Sequence, residues 1–161
     1  MNRHSVLLAI LSVMGVSAHA YAQTCAAPLL LSFNAHLFGD TCTGSNELGT
    51  LCIFAQSPAN DIIYSLTVAP DYTTTVISLT NNTPAWNAAL VLVQGACNGN
   101  STCPRNADAG AAGANETMDV SALTPGTYFV VVTSTTSDTS CGAYNLIANG
   151  TPVELQSFEV I

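Results

Sequence analysis

Cationic side chains are almost missing from this sequence: two basic residues, Arg3 and Arg105, face ten acids across 161 positions. A chain so poor in positive charge repels phosphate backbones and anionic lipid, which excludes nucleic-acid binding and electrostatic docking on membranes. Long apolar runs are missing too. Val6 to Val16 falls short of the roughly 20 residues that span a bilayer, and no later segment comes closer, so no membrane insertion is expected. Histidine is scarce, with only His36 beyond residue 22. A Ser-His-acid or Cys-His arrangement would need it, yet it sits between Ala35 and Leu37 in an apparent strand, and no Gly-x-Ser-x-Gly elbow accompanies it. Zinc is disfavoured because no Cys-x-x-Cys pair exists and a single histidine remains.

What is present begins with a leader. Arg3 and His4 precede the apolar run, and Ala18, Ala20 and Ala22 follow it, the layout of a secretory signal peptide over residues 1–22. The mature chain then starts at Gln23 and is secreted, to the extracellular space, the periplasm or the cell surface. All six cysteines, Cys25, Cys42, Cys52, Cys97, Cys103 and Cys141, lie beyond the cut, as expected of disulfides formed in an oxidising compartment. Six cysteines allow 15 pairings. Proximity in sequence favours Cys42 with Cys52 and Cys97 with Cys103, each around a Gly/Asn/Thr-rich loop, leaving Cys25 with Cys141. All ten acids are mature, so against Arg105 alone the product carries about nine negative charges.

The dominant period along the mature chain is two, with Thr, Val, Ile and Tyr punctuated by Gly, Pro, Asn and Asp. Strands are expected over Leu29–Phe38, Asp61–Val68, Tyr72–Leu79, Ala88–Val93, Met118–Leu123, Gly126–Thr133 and Gly142–Ala148. Ile62, Tyr64, Leu66 and Val68 share one face, whereas Ala88–Val93 is apolar on both and is expected near the centre of a sheet. Asn98–Asn115 reads as a long polar loop. Short strands at this spacing predict one all-β domain over residues 23–150, a disulfide-stapled sandwich of about eight or nine strands. Residues 151–161 form a tail whose apolar alternation slips at Gln156-Ser157, which predicts an extra edge strand and offers self-association through residues 152–161.

Three segments together carry a family resemblance: Asp61-Ile62-Ile63-Tyr64-Ser65-Leu66, Leu123-Thr124-Pro125-Gly126-Thr127-Tyr128-Phe129-Val130-Val131-Val132, and Gly142-Ala143-Tyr144-Asn145-Leu146. With Gly39-Asp40-Thr41-Cys42 and Leu90 to Cys97 in order between them, they resemble the bacterial pre-peptidase C-terminal domain over Cys25 to Asn149. That resemblance implies a jelly-roll-like sandwich, normally appended to exported enzymes and itself non-catalytic. It differs where the family often carries more acid, at Asn87 and at Asn106-Ala107-Asp108, which lowers the charge available to a cation.

Candidate sites follow from these readings. Trp86, Tyr64, Tyr128 and Tyr144 are the aromatic side chains considered for a binding face, beside the ordinary reading of such residues as core, rim or loop packing. Asn106, Asp108, Glu116 and Asp119 supply hard oxygen ligands in one segment and are the candidates for a weak calcium site, although their spacing matches no EF-hand. No other cofactor is expected. The expected partner is an extracellular protein or polysaccharide, engaged by a secreted non-catalytic module. A structural surface or fibre subunit joined by edge-strand addition is the alternative, followed by a small secreted hydrolase using paired carboxylates. Asp40, Glu47, Asp71, Asp108, Glu116 and Asp138 fall in expected turns, where acids cap backbone rather than catalyse.

Overall fold

The structure of the protein is a computed structural model that describes residues 24–49, 51, 58–70, 72–98, 101–135 and 138–152. The expected leader and the tail beyond Pro152 lie outside the described residues, as do Cys52 and Asp71. In chain order the strands are β1 Leu29–Leu30, β2 Leu37–Asp40, β3 Ile62–Val68, β4 Tyr72–Asn81, β5 Ala88–Gln94, β6 Thr102–Ala107, β7 Glu116–Asp119, β8 Gly126–Ser134 and β9 Ala143–Pro152. They form a five-stranded sheet, ordered β1-β3-β8-β5-β6, and a four-stranded sheet, ordered β2-β9-β4-β7. The chain alternates between the two sheets at every step except the β5–β6 hairpin, a jelly-roll-like path through a β-sandwich. Among the described residues no helix is long and apolar enough to cross a membrane.

Period-two patterning decides which side chains meet in the middle. Ile62, Tyr64, Leu66 and Val68 of β3, Tyr128, Val130 and Val132 of β8, and Leu90 and Leu92 of β5 face Ile77 and Leu79 of β4, Met118 of β7 and Tyr144 and Leu146 of β9. At about 25 cal/mol per Å² of apolar surface removed from water, this interior is the main driving force for the fold.

The outward side of the five-stranded sheet is also dry, which sequence alternation alone does not announce. Ile63, Ala89, Val91, Val93 and Val131 lie under Leu48 and Leu51, flanked by Cys25, Cys97, Cys103 and Phe129. This second layer explains why Ala88–Val93 is apolar on both faces. The strand is interior, between β8 and β6, while β8 takes the sheet's centre.

Three expected elements differ from the structure. Leu29–Phe38 is not one strand: Leu31 N–H donates to Ser65 in one sheet, then Phe33 bridges Ala148 and Asn34 N–H donates to Ala148 in the other. The chain changes sheets there, with Asn34 in a left-handed conformation at φ 60°. The Asn98–Asn115 segment contains β6, an edge strand whose position tolerates Pro104 and shows no apolar alternation. Lastly, β7 starts at Glu116 and ends at Asp119, earlier than expected.

The cysteine pairing also differs. Cys42 is joined to Cys141 and Cys25 to Cys97, rather than Cys42 to Cys52, Cys97 to Cys103 and Cys25 to Cys141. Strand register gives the reason. Antiparallel β2 and β9 place Asp40 opposite Ala143, so two residues further out Cys42 meets Cys141, with Cα atoms 5.0 Å apart. The buried Thr41 seals this corner, donating its N–H to the Gly142 carbonyl at 3.0 Å and accepting the Gly142 N–H on Oγ1 at 2.9 Å. Cys25 and Cys97 meet over the outer apolar layer. Cys103 is disulfide-bonded as well.

Candidate functional site

The aromatic candidates occupy the interior, which corrects their assignment to a binding face. Trp86 is fully buried; its indole N–H donates to Ser134 Oγ at 2.6 Å, and Ser134 donates in turn to the Ser140 carbonyl at 2.7 Å. Tyr64 and Tyr144 share a hydroxyl–hydroxyl hydrogen bond of 2.8 Å inside the sandwich. Burial pushes both phenols above their ordinary value, so neither serves as an acid or base near neutrality. Tyr128 donates its hydroxyl to the Thr124 carbonyl at 2.8 Å and thereby braces the turn that precedes β8. Each large ring finds a polar partner for its one polar atom, the usual condition for burying Trp and Tyr.

The four oxygen-bearing calcium candidates are committed separately. Asn106 lies on β6 opposite Val91. Asp108 accepts from the Thr135 hydroxyl. Glu116, buried at the start of β7, accepts the N–H groups of Ala109 at 3.1 Å and Gly110 at 3.0 Å. Asp119 accepts the Ser121 N–H at 2.8 Å, a bond that holds its carboxyl below the ordinary value. Among the described residues no three His, Cys, Asp or Glu side chains gather in a way that would hold a metal ion.

Asp61 is an acid that sequence patterning passes over. Only 2% exposed, it precedes β3 and accepts the N–H groups of Glu47 at 3.1 Å and Leu48 at 2.9 Å on Oδ2. Glu47 in turn accepts the Cys25 N–H at 2.9 Å. The carboxylate therefore pins the outer apolar layer and, through Glu47, the amino-terminal arm. Its pKa is raised, chiefly by burial, against the lowering effect of the Leu48 N–H, the Thr133 hydroxyl and the Glu47 N–H. His36, expected on a strand, is exposed and lies between the Phe33 bridge and β2.

Among the described residues, the largest exposed apolar side chain lies on the outward side of the four-stranded sheet. Phe38, 82% exposed, projects there from β2 because its neighbour Leu37 packs inward on the core. Across the sheet Phe38 stands opposite Asn145 of β9, which stands opposite Thr80 of β4. The next row runs Ile147, Ser78, Thr117. All of these but Phe38, Thr80 and Thr117 are half-buried, and those three are exposed. Asn82 donates its amide to Asn145 Oδ1 at 3.3 Å, orienting that side chain on the face. Sequence reading missed Phe38 by placing it at the end of a single long strand. Once a strand is cut to Leu37–Asp40, inward Leu37 forces Phe38 outward by simple alternation.

A second exposed apolar residue, Leu30 at 68%, borders an open cleft of about 300 Å³ lined also by Leu31, Ser32, Phe33, Thr67 and Ala69. It contains no titratable group.

No family model and no curated protein matches the chain. Among solved structures it is similar to the pre-peptidase C-terminal domain of collagenase from Bacillus anthracis, at 16% identity and a TM-score of 0.49. The match covers 75% of this chain and 93% of that one. The sandwich architecture itself is established by the two sheets and their shared interior.

Proposed function

We propose that this chain is an exported, non-catalytic module that acts by contact, engaging an extracellular protein or polysaccharide through the open face around Phe38. The exposure of Phe38 carries the reading. Among the described residues, the phenyl ring of Phe38 is the one large aromatic that is mostly exposed, on a face whose neighbours are Asn, Thr and Ser, while Trp86, Tyr64, Tyr128 and Tyr144 are all in the core. The described acids Asp40, Asp61, Glu116, Asp119 and Asp138 accept hydrogen bonds from nearby backbone N–H groups, the behaviour of capping residues. Disulfides fit a chain folded outside the reducing cytosol.

The test compares the mature protein with its Phe38→Ala variant in pull-downs against exported proteins of the source culture and against polymeric carbohydrates. Phe38 is so exposed that the variant is expected to unfold within about 0.5 kcal/mol of wild type. Loss of retention in the variant is the expected result. Equal retention of both proteins would move the site elsewhere, and turnover of a substrate lost on changing one acidic side chain would replace the reading with an enzymatic one.

A further inference from the structure

The geometry points to an uncharged polysaccharide as the occupant of the Phe38 face, an inference that rests on the contact reading above and narrows it to one ligand class. The row Phe38, Asn145, Thr80 crosses three adjacent strands. With neighbouring strands about 4.8 Å apart, its ends are separated by roughly 10 Å, the length of two linked sugar rings. A pyranose has an apolar face of C–H groups and a rim of hydroxyls that both donate and accept. Phe38 supplies a flat apolar platform for the first. Asn145 and Thr80 supply amide and hydroxyl groups for the second, and an Asn side chain both donates and accepts, as ring hydroxyls require. The next row continues the mixture of apolar and hydroxyl groups, with Ile147 of β9 followed by Ser78 of β4 and Thr117 of β7.

Charge selects among glycans. Two acids border this face: Asp40, two residues beyond Phe38 on β2 and opposite Ala143, and Asp119, on β7 opposite Val76; the Asn145, Thr80, Ile147, Ser78 and Thr117 positions between them carry no ionisable side chain. Arg105, on β6 of the other sheet, turns its guanidinium to the Pro104 carbonyl and acts on Asp119 at that border, while the row of Phe38, Asn145 and Thr80 runs across β2, β9 and β4. Among the described residues, a uronate or sulfated polymer lying along the Phe38 row would meet Asp40 at its edge and no lysine or arginine on that row, so desolvating its charge would go uncompensated. Neutral polymers avoid that cost. A protein partner, by contrast, is favoured by anchor pockets that receive its side chains, and the row around Phe38 is a sheet surface on which the ring stands proud at 82% exposure.

Affinity electrophoresis of the mature protein through gels containing a soluble neutral β-glucan, glycol chitin or alginate tests the assignment, with sedimentation on crystalline chitin and cellulose for insoluble polymers. Retardation by at least one uncharged polymer and none by alginate is expected. Phe38→Ala is expected to weaken it at least tenfold and Thr80→Ala or Asn145→Ala severalfold, whereas Leu30→Ala, on the other sheet, leaves it unchanged. Failure of every uncharged polymer to retain the protein overturns the inference, as does retention that Phe38→Ala leaves intact. Light scattering on the same samples separates the two levels of argument. Self-association lost in Phe38→Ala, without glycan binding, defeats the polysaccharide assignment while keeping a contact role for the face.

Discussion

Replacing each disulfide by a serine pair gives the sharpest measure of how this sandwich is held. The Cys42–Cys141 bond closes a separation of 99 residues and Cys25–Cys97 one of 72. In the chain-entropy account those loops remove about 4.7 and about 4.4 kcal/mol of unfolded-state freedom respectively. The logarithm makes them almost equal, so any large difference between the two variants must arise in the folded state. There the settings contrast. Cys42–Cys141 lies beside the paired hydrogen bonds of Thr41 and Gly142, which hold the same corner without it. Cys25–Cys97 holds the amino-terminal arm over the outer apolar layer, where the Cys25 N–H to Glu47 contact is exposed. Urea unfolding of C42S/C141S is therefore expected to lose about 4 to 5 kcal/mol, a midpoint shift of about 2 M for a slope near 2 kcal/mol per M. C25S/C97S is expected to lose at least as much, with exposure of the layer under Leu48 and Leu51 read by a hydrophobic dye before global unfolding. A loss under about 1 kcal/mol in C25S/C97S, or no dye signal, would refute the view that this bond clamps the outer layer. Non-reducing peptide mapping should recover both linked pairs and a third linked peptide containing Cys103.

Trp86→Phe removes the indole N–H that reaches Ser134 and leaves a small void in the interior; a loss of about 1 to 3 kcal/mol in thermal or urea unfolding is expected, against about 3 to 5 for Trp86→Ala. Gly39→Ala would put a methyl group 2.4 Å from the Tyr144 ring and hydroxyl, so it is expected to lower the melting temperature and disturb the Tyr64–Tyr144 pair, visible in near-ultraviolet circular dichroism. For Asp61 the folded-state pKa lies above the unfolded one, so its contribution to stability is complete below pH about 4 and is lost as pH rises through the higher folded value. Asp61→Asn should remove that falling limb when unfolding is measured from pH 4 to 8; an unchanged pH profile would show that burial leaves this carboxyl unperturbed. Asp119 and Asp138 act in the opposite sense, because their lowered values add stability above the ordinary carboxylate range that disappears on acidification.

Much of the architecture was legible in the chain because alternation is a local signal. The faces of β3, β8 and β9 follow from Ile62-x-Tyr64-x-Leu66, Tyr128-x-Val130-x-Val132 and Tyr144-x-Leu146 without any tertiary knowledge. Disulfide partners were not legible, since Cys42 meets Cys141 only through the register of two strands about a hundred residues apart. Core packing of Trp86 was one of the readings the chain offered, but its hydrogen-bond partner was not legible. A tryptophan after Asn-Asn-Thr-Pro looks like a loop residue until Ser134 arrives from β8 to take its N–H. Asp61 was hidden for a related reason: as the first residue of an expected strand it carries no local mark of burial, and only the fold-back of Glu47 and Leu48 turns it into a buried anchor. The open face was missed through a boundary error of a few residues, which turns a side chain from one surface to the other.

The two walls of the molecule also fix how it would be presented. Cys25 is fastened to the covered wall, so a tether joined ahead of Thr24 leaves on the side away from Phe38. Grafted to a bead or a carrier by its leading end, the module would hold the wall that carries Phe38 toward the medium like a paddle.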